Sequence, residues 1–291
     1  MSESRPAISP TRIGKLLFEW GSRTFVMGIV NMTPDSFSGD GLLATVAGRR
    51  GAAVEAAVIQ ARRMADEGAD ILDVGGESTR PGHEPIPEDE ESARVVPVVA
   101  AIRAALPDLP ISVDTFKRAV AAAAIDAGAD LLNDVWGVSP DDAMARLAAA
   151  RKVPLILMHN RAAPVYRDLV GEVVSDLRAA LDRAIATGVP SKNLIVDPGF
   201  GFGKTPEHNL LVLRELAALH VLGRPILLGT SRKSTLGLVL GGVPIEDRLE
   251  ATLATTALGI AAGVDIVRVH DVRANVRAAR VADAVIRGVH S

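Results

Sequence analysis

The chain has 291 residues, 48% hydrophobic and 23% charged, with a formal net charge of −3; this excludes a disordered chain and a general nucleic-acid binder. The absence of cysteine excludes disulfides, thiolate nucleophiles and cysteine metal sites. The opening Met1-Ser-Glu-Ser-Arg-Pro6 has no apolar signal core and no apolar run reaches about 18 residues, so a cytoplasmic protein without a membrane partner is expected.

Residues 1–12 read as a polar, proline-bearing tail, and 13–291 as one domain. Leu16–Trp20 and Arg23–Val30 flank Gly21-Ser22 and predict a small N-terminal hairpin whose second arm leads to the first core strand. The loop Asn31-Met-Thr-Pro-Asp-Ser-Phe-Ser-Gly-Asp-Gly41 is rich in turn formers. From there strands and helices alternate. Strands are expected at 71–74, 111–113, 131–132, 154–158, 194–196, 225–228 and 265–269. Helices are expected over about 50–67, 88–105, 116–127, 141–150, 168–187, 206–219, 232–262 and 272–288. The strands are too apolar to have a wet face, as parallel strands covered on both sides are.

Three helix–strand junctions nearly copy one another: Glu67-Gly-Ala-Asp-Ile-Leu-Asp73, Ala127-Gly-Ala-Asp-Leu-Leu-Asn133 and Ala262-Gly-Val-Asp-Ile-Val-Arg268. Their glycines suit left-handed helix C-caps, and the likeness is what a repeated βα unit leaves behind. Eight units in this length predict an α/β fold, a single (β/α)8 TIM barrel; a doubly wound open sheet is the alternative.

In such a barrel the strand ends converge on the reactive face. The residues there are Asn31, Asp73, Asp114, Asn133, His159, Asp197, Thr230-Ser-Arg-Lys233, Arg268 and His270. Asp114, Asn133 and Asp197 could read the donor-rich edge of a pterin- or purine-like ring, or cap the helices that follow. Met158 and Phe202 could sandwich a flat ring or pack in the core. Thr230–Ser234 offers hydroxyls, two cations and a helix start to an anion, or is an ordinary N-cap. Arg268 and His270 share one side of a strand and could hold phosphate, or form a structural ion pair. Gly199-Phe-Gly-Phe-Gly203-Lys204 lacks phosphate-loop spacing and reads as a tight loop. His83, His208, His220 and His290 read as surface residues, and His159-Asn-Arg161 is given no role.

With these residues in hand, the chain resembles the dihydropteroate synthases, a pterin-binding TIM-barrel family. The matching runs are Asn31–Ser38, Gly75–Gly82, Ser112–Thr115, Asn133-Asp134, Asp197–Lys204, Thr230–Ser234 and Arg268–His270, in family order. The resemblance implies a transferase that joins 4-aminobenzoate to (7,8-dihydropterin-6-yl)methyl diphosphate in folate synthesis, and a homodimer. It implies that Asp114, Asn133, Asp197 and Lys233 bind the pterin, with Met158 and Phe202 beside it. Asn31 would hold Mg2+, while Arg268 and His270 take the diphosphate oxygens. Phe37, Thr79, Arg80 and Ser234 would close the aminobenzoate site, and Lys233, Arg268 and His270 form the catalytic set. The family continues Ser-Phe-Ser with Asp-Gly-Gly, whereas Gly39-Asp40-Gly41 shifts the aspartate by one place, so Asp40 is left outside that set.

Two other functions share some of these residues. A methyltetrahydrofolate:corrinoid methyltransferase-like barrel would keep the pterin-reading groups without needing Thr79-Arg80 or Ser231–Ser234. A non-catalytic pterin-binding paralogue would have lost parts of the aminobenzoate or diphosphate sites.

Overall fold

The structure, a computed structural model, describes residues 8–32, 50–77, 85–137 and 139–288. Phe37, Asp40, Thr79, Arg80, His83 and His290 lie outside them. Two short strands, β1 (Thr11–Ile13) and β2 (Leu16–Phe18), form an antiparallel hairpin. Eight parallel strands follow: β3 (Phe25–Asn31), β4 (Ile71–Gly75), β5 (Ile111–Asp114), β6 (Leu131–Asp134), β7 (Leu155–Met158), β8 (Leu194–Asp197), β9 (Leu227–Leu228) and β10 (Ile266–Val269). Their order is β8-β7-β6-β5-β4-β3-β10-β9, and a parallel bridge from Val196 to Ile226 joins the two ends into a barrel.

The hairpin lies one step earlier than Gly21-Ser22 suggested. Gly14, at φ +56°, makes its turn, and β1 takes in Thr11 and Arg12 from the stretch expected as tail. Phe25–Asn31 is already barrel strand, paired with β4 and β10. The displacement follows from packing. Phe18, Trp20 and Phe25 stack with ring centroids 4.7–5.6 Å apart and, with Ile13, plug the lower mouth of the barrel.

Period-two pleating then sorts the barrel into layers. Met27, Ile71, Leu131, Ile156, Ile195, Leu227 and Ile266 form the floor above that plug. Two residues further along their strands stand Asp73, Asn133, Met158, Asp197 and Arg268. Alternate residues such as Val26, Leu72, Leu132, Val196 and Val267 face outward into the core shared with the helices. In β4, β6, β8 and β10 the inner lane therefore turns from apolar to polar within one step of the pleat.

The repeated junctions have a physical reason beyond their glycines, which sit at φ +100°, +116° and +85°. The aspartate after each one forms a reciprocal pair with the base of a neighbouring strand. Asp70 donates its N–H to the Val26 carbonyl at 2.8 Å, and its carboxylate accepts the Val26 N–H at 2.8 Å. Asp130 does the same with Ile111, at 2.7 and 3.0 Å, and Asp265 with Ile226, at 2.9 and 2.9 Å.

Helices at 50–66, 88–105, 118–126, 143–151, 169–186, 206–214, 249–261 and 272–287 surround the barrel near the expected positions. The long helix expected over 232–262 is divided: Ser234–Val239 is helical, Gly241 and Gly242 take positive φ, and Leu249–Ala261 begins anew. Among the described residues no helix is long and apolar enough to cross a membrane. Asp265 is fully buried. Asp265→Ala strands a buried N–H, and a loss of about 1–3 kcal/mol in urea unfolding is expected with substrate KM unchanged; wild-type stability would remove the aspartate from that role.

Candidate functional site

Strand register builds the upper rim. Asn31, Gly75, Asp114 and Asn133 stand opposite one another on successive strands β3 to β6, and Met158 pairs with Asp197 across β7 and β8. Gly75 leaves a gap between its neighbours: a Cβ there would meet the Asp114 Cβ at 3.5 Å and the Asn31 Oδ1 at 3.7 Å.

At the centre lies a buried charge cluster. Arg268 donates from Nε to Asp73 Oδ2 at 2.5 Å and from Nη2 to Asp114 Oδ2 at 2.6 Å. Asp73 Oδ2 also accepts from Asn133 Nδ2 at 3.1 Å. Burial pushes the Arg268 guanidinium down, but Asp73 and Asp114 outweigh it and raise its pKa, so the cation is permanent. Of the two readings its position allowed, the structure shows Arg268 in the structural ion pair, with two carboxylates. Asp114 makes no helix cap, since Lys117 begins the helix 118–126 without a side-chain bond. Its Oδ1 and the Asp73 Oδ1 are buried without a hydrogen-bond partner among the described residues. Burial pushes the Asp114 carboxyl up, against the pull of Arg268, to about 7; burial likewise raises Asp197 to about 6.

On the opposite side, Asp197 Oδ1 accepts the Gly199 N–H at 2.7 Å and opens the loop 199–203. That loop requires glycine by contact as well as by φ. A Cβ on Gly199, at φ +70°, would fall 1.8 Å from the His159 carbonyl oxygen, and one on Gly203, at φ +55°, 2.4 Å from that of Arg161. The loop presents the half-buried Phe202, with Lys233 Nζ 3.8 Å from its ring centroid.

The Thr230–Lys233 turn is clamped from below. Arg232 takes a left-handed φ of 56°, donates its N–H to Thr252 Oγ1 at 3.1 Å and grips Asp271 through two bonds of 3.0 and 2.7 Å. Ser231 Oγ lies 2.9 Å from His270 Nδ1 and accepts the His270 backbone N–H at 3.2 Å. These bonds hold Lys233 and His270 at the same rim. Ser234 is exposed, as the first residue of the six-residue helix Ser234–Val239.

Several contributors were not assigned from the sequence. Asp73 lies within β4, fully buried. Lys117 donates to Glu77 at 2.5 Å, to Glu91 at 2.7 Å and to the Ile86 carbonyl at 2.7 Å, stitching together positions 77 and 86. Asn209 accepts from the Gly201 N–H at 2.7 Å and donates to Thr235 Oγ1 at 2.9 Å, tying loop 199–203 to the 230–235 segment. His159, given no role, is wholly buried against Asp176 and Lys204. His208, read as a surface residue, completes a capping box with Thr205, and the His220 ring packs where a Cβ on Gly263 would stand. Apart from the His208 capping box, no local pattern marks such partners: Asn209 and Gly201 are 8 positions apart, Asp73 and Arg268 195.

Removing Arg268 would leave two buried carboxylates uncompensated. Arg268→Ala is expected to lose about 3–5 kcal/mol in chemical denaturation, and Arg268→Lys, which keeps the charge without the fork, to lose less. An alanine variant as stable as wild type would dissolve the cluster.

The profile of the pterin-binding enzyme family matches residues 27–270. The dihydropteroate synthase of Clostridium beijerinckii is 48% identical over 277 residues, covering 95% of this chain and 99% of that protein. The structure of dihydropteroate synthase from Clostridium difficile in the presence of pteroic acid superposes with a TM-score of 0.86 at 47% identity, covering 93% and 99% of the two chains. The Xanthomonas albilineans dihydropteroate synthase structure with 4-aminobenzoic acid gives a TM-score of 0.86 at 42% identity, covering 95% and 97%. With matches of this depth along nearly its whole length, the chain belongs to the pterin-binding enzyme family, among the dihydropteroate synthases.

Proposed function

We propose that this transferase joins 4-aminobenzoate to (7,8-dihydropterin-6-yl)methyl diphosphate, releasing diphosphate and forming 7,8-dihydropteroate by an SN1-like substitution. The observation that carries the reading is the buried Asp114 Oδ1, without a hydrogen-bond partner among the described residues, on a rim shared with Asn133 and Asp197. A buried acceptor without a partner is costly, and a ring edge rich in N–H groups satisfies it.

In this reading Asp114, Asn133 and Asp197 hold the pterin edge, and Met158, Phe202 and Lys233 bound its face. An electron-rich pterin stabilises cationic charge at its methylene carbon as the C–O bond to diphosphate breaks. The amine lone pair of aminobenzoate then forms the C–N bond and the ammonium loses a proton, so no strong base is needed. Arg268 and His270 take charge on the departing oxygens; Nη1 of Arg268 forms no hydrogen bond among the described residues. Phe37, Thr79, Arg80 and Ser234 are assigned to the aminobenzoate side, with the loops bearing the first three excluding water.

The described residues contain no cluster of three or more His, Cys, Asp or Glu able to hold a metal. The Asn31 amide oxygen, a hard neutral donor on the rim beside Gly75, suits Mg2+ as one ligand beside diphosphate oxygens and water. Bound there, Mg2+ would supply charge neutralisation to the leaving group. The helices 249–261 and 272–287 expose Leu258, Val281, Val285 and Ile286, which supports a homodimer. A cytoplasmic location suits a substrate set of this kind.

Diphosphate release with Mg2+, the pterin ester and 4-aminobenzoate tests the reaction, with aminobenzoate omitted as control. Release that ignores aminobenzoate would refute it. Asp114→Asn is expected to cut kcat/KM at least a hundredfold, about 3 kcal/mol; near-normal turnover would take Asp114 out of the pterin role. Because Asp114 and Asp197 titrate above the ordinary carboxylate range, at about 7 and about 6, both are largely protonated at pH 5. They become acceptors as pH rises, so kcat/KM for the ester should climb between pH 5 and 8. A profile flat across that range would contradict the assignment.

A further inference from the structure

Lys204 closes the run Gly199–Gly203 and turns back beneath it. Its ammonium has three protons and three acceptors: the carbonyls of Gly199 at 3.1 Å and Phe202 at 3.2 Å, and Nδ1 of His159 at 3.0 Å. An ammonium has no lone pair, so Nδ1 of His159 must accept. The ring proton therefore sits on Nε2, which faces Asp176 Oδ2 at 3.2 Å. Asp176 in turn receives Nε and Nη2 of Arg161, at 3.1 and 2.7 Å. One polar chain runs from Arg161 through Asp176, His159 and Lys204 into the loop carbonyls.

The protonation states agree with this chain. Burial and the neighbouring Lys204 hold His159 down to about 4, so its ring is neutral at physiological pH. Burial also lowers Lys204, to about 7, with Asp197 and Asp176 opposing and Arg161 and Lys233 reinforcing the shift. Asp197 and Asp176 oppose that loss, so the ammonium, and with it the donor role toward His159, predominates below about pH 7. The Phe202 ring meets the Lys233 ammonium, so a loop that shifts withdraws the ring surface on which that ammonium rests.

We infer that Lys204 is a positioning residue for the pterin ring: with His159 and Asp176 behind it, it fixes the loop that presents Phe202 and, through that ring, Lys233. This rests on the pterin reading above. Lys204→Met keeps the length and removes every donor. It is expected to raise KM for the pterin ester at least tenfold while KM for 4-aminobenzoate, at saturating ester, changes less than twofold. Lys204→Arg, which restores a cation and donors, should recover part of the loss. Equal rises in both constants, or wild-type kinetics in the methionine variant, would overturn the inference.

Should Lys204→Met fail to fold, the arginine variant and the wild-type protein decide. Assigned 15N NMR of His159 should show a neutral ring protonated on Nε2 from pH 5.5 to 6.5, where Lys204 is an ammonium, and a proton on Nδ1 there would break the chain. The arginine variant should alter the ester KM alone. A wild-type protein that binds no ester would overturn the functional reading and this inference with it, whereas a defect confined to the variants concerns Lys204.

Discussion

The upper half of the barrel depends on one buried cation. Arg268 stands between Asp73 and Asp114, and all three side chains are almost wholly withdrawn from solvent. Neither carboxylate could remain charged there alone, and the guanidinium would be as costly without them. The fork of donors suits two acceptors on different strands, which a single ammonium could not hold in one plane. Because each carboxylate spends only one oxygen on Arg268, each keeps another oriented and, among the described residues, unpartnered. The interaction that neutralises the interior also leaves acceptors ready for a ligand.

The rim is organised around it in two opposed sectors. Asn31, Asp114 and Asn133 project from strands in simple register, where the backbone alone sets their spacing. Phe202, Lys233 and His270 come from turns, and each turn is secured by side chains reaching from elsewhere. Asn209 links the two turns directly. In the function proposed above, rigid strands supply the hydrogen-bonding edge and secured loops the face and the charges, a division that would make recognition exact in the plane of the ring and adjustable above it.

Much of this was legible in the sequence. The alternation of apolar runs and helices pointed to parallel strands covered on both sides, and eight such units in one chain favoured the closed barrel over an open sheet. Polar residues restricted to strand ends gave most of the rim, because pleating carries only alternate residues inward. Asp73 was placed at the reactive face but given no role, because its partner Arg268 lies 195 positions away and only the fold joins them. The hairpin was displaced because Trp20 and Phe25 read equally well as strand residues or as a plug. Lys204, His159 and Asn209 were hidden for a different reason. Their partners come from other units, and the tertiary path that joins them leaves no spacing in the chain.

The aspartates at the three repeated junctions have a consequence for how the barrel closes. Each makes two bonds to a single residue at the foot of an adjacent strand, so a slip of one residue would break both and reverse the facing of every side chain beyond. They act as pawls on the shear of the sheet. With the stagger set at the foot, loops at the far rim can lengthen, shorten or exchange residues without altering which side chains meet at the axis.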